Sequence, residues 1–296
     1  AYTMRVLFVG DVHAKVEDLA DCEALRDYVL RVGREQKVDV VVFLGDQYDS
    51  HAVKHVEVER FWLRFFEQLR QLEVVVYALV GNHDRPGNAA SVAHSMQVHG
   101  HQVFVVDEPK RFGPFLFLPY YHDPAKLVAA AQCDAEVLVC HAAFAGGRYD
   151  NGQPIKADAF YGKDVVSPDE LPQRFIISGH IHKGAAFGKV WYPGSPRWQT
   201  MGDANTDRAI YVCEFEGEHG TSVGVEKAFS TNEVCRRTWD LVYTPEDHCE
   251  AELALVGPRD KVRLNIRGPL VFCEETKRLF AGKGYRTPTF PIDRGV

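Results

Sequence analysis

The chain has 296 residues, 46% hydrophobic and 25% charged, a balance ordinary for one large globular domain with or without an appendage. Its formal charge of −7 counts against a protein that coats nucleic acid through bulk charge, although residues 231–296 hold 11 Lys+Arg against 10 Asp+Glu and the rest hold 23 against 31. No apolar run nears the roughly 18 residues of a membrane span, no leader-like stretch opens the sequence, and 7 scattered cysteines without CxxC spacing read as reduced core thiols, so a cytoplasmic chain with no membrane association is expected.

In chain order, the first half alternates strand and helix signals. MRVLFVG (4–10) reads as a buried strand that ends in Gly10-Asp11-Val12-His13. Residues 16–36 place Leu19, Cys22, Leu25, Val29 and Val32 near helical spacing. VDVVVFLGD (38–46) is a second buried strand, continuing into Gln47-Tyr48-Asp49, and 57–72 is a second helix. EVVVYALVGNHD (73–84) is a third strand that runs into Gly81-Asn82-His83-Asp84. Strands are expected at 101–107 and 114–121, a helix at 123–132 behind an Asp-Pro start, and strands at 135–141 and 174–180. The last two end in His141 and in Gly179-His180-Ile181-His182. Alternation of this kind predicts a layered α/β domain with sheets buried on both faces. After 184 the segments turn short and strand-like, with Gly, Pro and Asn turns between them. The expected division is a catalytic domain over 4–230 and a small C-terminal α+β region over 231–296, with a late helix at 273–284.

Five apolar strands thus finish in side chains able to bind a metal, four of them directly after a glycine. Open α/β sheets put their sites beyond the carboxyl ends of the strands, and glycine lets the backbone turn sharply and approach a ligand closely. Singly, each piece has a plainer reading. Asp46 could be a helix N-cap, Asn82 a turn residue, His141 a satisfied core histidine, and the His-X-His pair polar decoration. Together, Asp11, His13, Asp46, Asn82, His141, His180 and His182 exceed what one ion takes from a protein and suit two ions sharing a carboxylate. Imidazole, carboxylate and amide donors without thiolate suit manganese, iron, zinc or similar ions.

The succession GDVH, GDQYD, GNHD, a lone His after an apolar strand, and GHIH resembles the calcineurin-like metallophosphoesterases over roughly residues 4–200. The resemblance implies a four-layer α/β/β/α sandwich with two divalent ions at one edge, Mn2+ first, with Fe or Zn as alternatives. It implies that Asp11, His13 and His182 hold one ion, that Asn82, His141 and His180 hold the other, and that Asp46 bridges them. It gives His83 a place facing the substrate, as general acid or as stabiliser of the transferring phosphoryl group, with Asp84 expected to orient it through a hydrogen bond. Asp49 is left between supporting a ligand and capping the next helix. His51 and His55 read as a solvated helix start, and Arg85 as a candidate phosphate contact.

For the substrate, residues 190–217 resemble the segment after the last histidine motif of the SbcD and Mre-eleven type nucleases. Residues 225–241 resemble their link to a capping domain, and 261–269 a strand of that domain. The expectation is a metal-dependent phosphodiesterase acting on DNA, as exonuclease or endonuclease in repair or recombination. The alternatives are a phosphoesterase of cyclic or dinucleotides, a protein phosphatase, and a non-catalytic scaffold. Arg148, Lys156, Lys163, Lys183, Arg197 and Arg208 flank the histidine motifs as candidate backbone-binding cations, though each alone reads as a solvated charge. The long loop 142–173 is expected to shape the substrate site. The same resemblance implies a coiled-coil ATPase partner, although the helical segment that would grip it has no strong counterpart. It also implies a homodimer formed near the second and third motifs, where FWLRFFEQL (61–69) serves either a dimer or the core.

Overall fold

The computed structural model describes residues 3–87, 92–157, 164–216 and 222–292 of the chain, so Lys163 lies outside the described residues. It divides into two compact units, 1–196 with 208–235 and 197–207 with 236–296. The first unit opens with β1 (Thr3–Val9), α1 (Leu19–Glu35), β2 (Val40–Phe43), α2 (Val56–Gln71), β3 (Val75–Leu79) and β4 (Phe104–Val106). It continues through β5 (Lys110–Phe112), β6 (Phe115–Phe117), α3 (Pro124–Ala130), β7 (Val137–His141), the short pair β8 (Ala143–Phe144) and β9 (Val165–Val166), β10 (Phe175–Gly179), β11 (Ala185–Phe187) and β12 (Val190–Tyr192). It closes with β13 (Ala209–Glu216) and β14 (Ser222–Ser230).

These strands form two six-stranded sheets, ordered β14-β13-β1-β2-β3-β4 and β11-β12-β10-β7-β6-β5. β1 to β4 run parallel, as do β6, β7, β10 and β12. Period-two alternation sends one set of side chains from each sheet into a shared core. Val6, Phe8, Val40 and Val42 of the first sheet meet Phe115, Phe117, Val137, Val139 and Ile177 of the second. The opposite set of the second sheet, Leu116, Leu138 and Cys140, packs with Leu127 of α3. On the outer face of the first sheet, Phe43 of β2 meets the rings of Trp62, Phe65 and Phe66 of α2 at 5.4–5.6 Å. The layers are therefore α/β/β/α, as the sequence implied. Phe61, Trp62, Phe65, Phe66 and Leu69 are all buried, which places these side chains of α2 in the core. Each such ring contributes on the order of 1.5–3 kcal/mol when fully withdrawn from water.

Element ends differ from the sequence reading where a local feature intervenes. The run 114–121 stops being strand at Phe117 because Pro119 removes a ladder donor. The run 101–107 keeps only Phe104–Val106 as strand, behind a 3-10 turn over Ser95–His99. Asp123 caps α3 as expected, accepting from the Ala125 N–H at 3.0 Å.

The second unit holds β15 (Thr238–Tyr243), α4 (Glu250–Leu253), β16 (Lys261–Gly268), α5 (Leu270–Leu279) and β17 (Thr289–Pro291). Its three strands are parallel in the order β15-β16-β17, around a core of Trp239, Leu241, Val262, Leu264, Ile266 and Cys273. Residues 197–207 belong to this unit rather than to the first. Asn205 ties them to β15, its side chain donating to the Asp240 carbonyl and accepting from the Asp240 N–H. Arg197 is accordingly a fully buried residue of the second unit and not a solvated cation.

Candidate metal centre

β1, β2 and β3 are parallel neighbours, so Asp11 with His13, Asp46, and Asn82 leave the first sheet at one edge. β7 and β10 are parallel neighbours in the second sheet and deliver His141, and His180 with His182, to the same edge. The chain turns sharply there. His13, Asp46 and His180 have left-handed backbones at φ 46°, 53° and 84°, a conformation that costs a non-glycine residue on the order of 1 kcal/mol or more. Two glycines make the approach possible. A Cβ at Gly45, itself at φ 102°, would run into the His141 ring, and one at Gly81 would run into the Asp46 carboxylate.

The seven side chains converge in two overlapping groups. Asp11, His13 and His182 each offer a ligand atom within 4.8 Å of the others, and so do Asp46, His141 and His180. In the first, His13 Nε2 faces His182 Nε2 at 3.2 Å, and His182 Nε2 lies 3.7 Å from Asp11 Oδ2. In the second, Asn82 Oδ1 is 2.9 Å from His141 Nε2 and 3.1 Å from His180 Nδ1. Asp46 Oδ2 stands between the groups, 3.4 Å from both His13 Nε2 and His141 Nε2. Ring nitrogens, an amide oxygen and buried carboxylates thus point at one another. Such groups are costly to bury together unless a cation joins them, and this donor set suits borderline divalent ions.

Neighbouring groups aim these donors. His141 donates from Nδ1 to the Leu44 carbonyl at 2.7 Å, which leaves Nε2 for a cation. Asp11 accepts the His180 N–H at 2.9 Å. Asp49 Oδ1 sits 3.5 Å from His13 Nδ1, and α2 begins seven residues later without a side-chain cap, so Asp49 supports the His13 ring and does not cap α2. Asp150 was not singled out by the sequence. It accepts the N–H groups of both His182 and Lys183 at 2.9 Å, and its Oδ2 lies 3.6 Å from His182 Nδ1. It comes from the loop over 142–173, whose length was its one signal. Arg208 is buried and donates to the carbonyls of His182 and Ser195, so it serves the His182 turn rather than substrate. Arg148 and Lys156 are exposed, the former donating to the Gly152 carbonyl, and Lys183 is half-buried.

His83 is held differently from the expectation. Its Nδ1 donates to the Asp49 carbonyl at 2.6 Å, and its backbone N–H donates to Asp46 Oδ1 at 2.8 Å. A carbonyl only accepts, so Nδ1 carries a proton and Nε2 is the atom left for exchange. Asp84, expected to orient this ring, is fully buried and accepts from the N–H groups of Gly81 and Tyr48, shaping the loop instead. His51, read as solvated, stacks on His83 with centroids 4.1 Å apart and donates from Nδ1 to the Arg85 carbonyl. Lys54 joins the carbonyls of Ser50 and His83, while His55 is exposed at the start of α2. A cleft of about 430 Å³ opens over the donors, lined by Asp46, Asn82, His83, His180 and His182 on one side and Tyr149 to Asn151 on the other.

The sequence profile of the calcineurin-like phosphoesterases matches residues 4–184, a span that contains every one of these donors. The chain belongs to the calcineurin-like phosphoesterase family. It is 27% identical over 235 residues, 73% of its length, to protein 078R of Invertebrate iridescent virus 3, which is named as a phosphoesterase. It spans 65% of the length of that relative. Among solved structures it is similar to YfcE, a phosphoesterase from E. coli, with a TM-score of 0.34 and 14% identity over 76% of this chain and 99% of that one. It is likewise similar to the Pseudomonas putida nuclease MPE, with a TM-score of 0.35 and 16% identity over 76% of this chain and 86% of that one. At those scores neither likeness bears on substrate. Calcineurin-like phosphoesterases use divalent metals, and the donor groups above fit them. Among the described residues, no helix is long and apolar enough to cross a membrane.

The electrostatics of the centre follow from burial and from the charges its members exert on one another. Burial pushes Asp11 well above the usual carboxylate range, His141 pulls it back, and the Asp46 charge adds to the push. Burial also opposes ionisation of Asp46, but the charge and hydrogen bond of His141 hold it well below that range. Burial works against a charged His141, yet Asp46 pushes it up to about 9. Burial lowers His13 to about 4 and His180 to about 3, so both rings are neutral at pH 7 and able to bind a cation. In the metal-free protein the raised His141 sets a pH window. Its contribution to stability is complete below 6.5 and is lost as the pH rises through about 9. Asp84, raised by burial from 3.8 to about 6, loses its share as the pH rises through about 6, below that window. Calorimetry in chelator should therefore show the melting temperature falling between pH 6.5 and 9. A level or rising trend would contradict the His141–Asp46 pairing.

Proposed function

We propose that the protein is a divalent-metal-dependent phosphodiesterase that hydrolyses DNA, in the manner of the SbcD and Mre-eleven type nucleases. The observation that carries this reading is the convergence of seven donor side chains beside a histidine that lines the cleft with its Nδ1 already committed to a carbonyl. In it, Asp11, His13 and His182 would hold one ion, Asn82, His141 and His180 a second, and Asp46 both. Divalent cations bound there would supply Lewis-acid charge against phosphoryl oxygens and lower the pKa of an attacking water. Manganese is the first expectation, with iron or zinc as alternatives.

The chain's own groups do the rest. His83, fixed by the Asp49 carbonyl and stacked on His51, keeps its tautomer and presents Nε2 to the leaving or phosphoryl oxygen. Asp150 steadies the His182 turn and forms part of the facing wall. The sequence likeness of 190–217 to the nuclease branch supports a polynucleotide over a small phosphoester. Labelled linear DNA, a diester chromogen and a monoester chromogen should be offered to the protein with manganese. DNA degradation and diester turnover are expected, with the monoester slow and all activity lost on chelation. A protein that turns over only the monoester, or only cyclic nucleotides, would refute the nuclease reading.

A further inference from the structure

Arg85 is a charged residue beside the centre that the proposed mechanism leaves without a task. Both ends of its backbone are fixed. Its N–H donates to the Asn82 carbonyl at 3.3 Å, and its own carbonyl accepts from His51 Nδ1 at 3.1 Å. The side chain is half-buried, and its Nε is withdrawn from solvent without a hydrogen-bond partner. Among the described residues, no carboxylate pairs with its guanidinium, whereas Arg5, Arg111 and Arg263 each meet an acid. The groups on which its charge acts are the phenols of Tyr120 and Tyr121, which burial raises and Arg85 pulls back, and the His94 ring, which burial and Arg85 both lower. None of these is an anion at pH 7.

A guanidinium keeps its charge at any physiological pH, and its planar fork matches two phosphate oxygens. Leaving one partly buried and unmatched is unfavourable unless a ligand completes it. Its place says which anion. Tyr120 carries the line from the centre toward Arg85, its ring 6.1 Å from those of His141 and His180. Arg85 itself is absent from the walls of the cleft that holds the donors. It is thus set to one side of the reacting position.

We propose that Arg85 binds a phosphate other than the one cleaved, the neighbouring diester of a polynucleotide, and so makes chains of nucleotides better substrates than isolated diesters. This rests on the nuclease reading above and names what would distinguish its substrate class. The contact is a charge-assisted one at a single phosphate, so its loss should weaken binding about tenfold and reduce the dependence of log K on log salt by about one unit.

The test uses the full chain with a fluorescein-labelled oligonucleotide. In chelator, anisotropy titrations across a salt series compare wild type, Arg85→Ala and Arg85→Lys. With manganese, kinetics on the oligonucleotide and on a diester chromogen follow. The expected result is a Kd about tenfold weaker and a shallower salt slope for Arg85→Ala, with Arg85→Lys recovering part of both. The KM for the oligonucleotide should rise more than kcat falls, and the preference for oligonucleotide over chromogen, as a ratio of kcat/KM, should drop about tenfold. An equal loss on both substrates, or an unchanged salt slope, would overturn the assignment of Arg85 alone. A wild-type protein that turns over the chromogen but neither binds nor cuts the oligonucleotide would instead overturn the nuclease reading.

Discussion

Replacing Asp46 with asparagine is expected to cost the protein its paired-metal character and to lower phosphodiester hydrolysis by at least about 10³-fold. The Asp46 carboxylate is fully buried, and its Oδ2 reaches His13 on one side and His141 on the other at the same 3.4 Å. Its Oδ2 stands between the two sets of donors, so its neutralisation weakens both. Several kcal/mol of transition-state stabilisation from bound cations corresponds to three or more orders of magnitude in rate. Asparagine accepts the left-handed backbone that Asp46 adopts at φ 53°, so the turn itself is preserved. Metal content by mass spectrometry should fall together with activity. A second readout needs no metal. Without Asp46 the raised pKa of His141 collapses, so the decline in melting temperature between pH 6.5 and 9 should vanish in the variant. Wild-type ion content and rate in Asp46→Asn would refute the shared-ligand arrangement.

The second large effect is expected at His83. His83→Ala should lower kcat by about 10²–10⁴-fold, the usual worth of a positioned proton donor or acceptor, and leave metal content unchanged. The distinction matters because a His83 ligand atom also comes within 4.8 Å of those of His13 and Asp46. Its Nδ1 is committed to the Asp49 carbonyl, which leaves Nε2 as the working atom. If the variant lost an ion, His83 would be a ligand and its role in proton transfer would fall. If it kept both ions and its rate, His83 would be a bystander held in place by His51.

What the sequence showed, it showed through local signals. Each of the strands before Asp11, Asp46, Asn82, His141 and His180 is a short apolar run with its polar group at the end, and parallel neighbours bring such ends to one edge without any long-range information. The same alternation predicted a layered α/β domain, while the four-layer order came from the family resemblance. What stayed hidden depends on backbone atoms and on loops. The group that orients His83 is a carbonyl, which no letter in the sequence marks, and the carboxylate beside it in the chain, Asp84, turns inward instead. Asp150 lies in a segment with no period, so nothing in its neighbours pointed to the His182 turn. Arg197 and Arg208 looked like surface charges because composition does not reveal which arginines are buried. The membership of 197–207 in the second unit rests on Asn205 pairing with a strand residue 35 positions away, a contact beyond the reach of local pattern.

The donors of each group come from both sheets of the sandwich: Asp11 and His13 from one with His182 from the other, and Asn82 from one with His141 and His180 from the other. The two halves of the fold must therefore agree in height along a single rim, where an ångström of misplacement can cost a hundredfold in rate. The opposite rim carries no such obligation. Insertions, deletions and drift should accumulate there in descendants of this sequence, while the lengths of the strands measured to the working rim stay fixed.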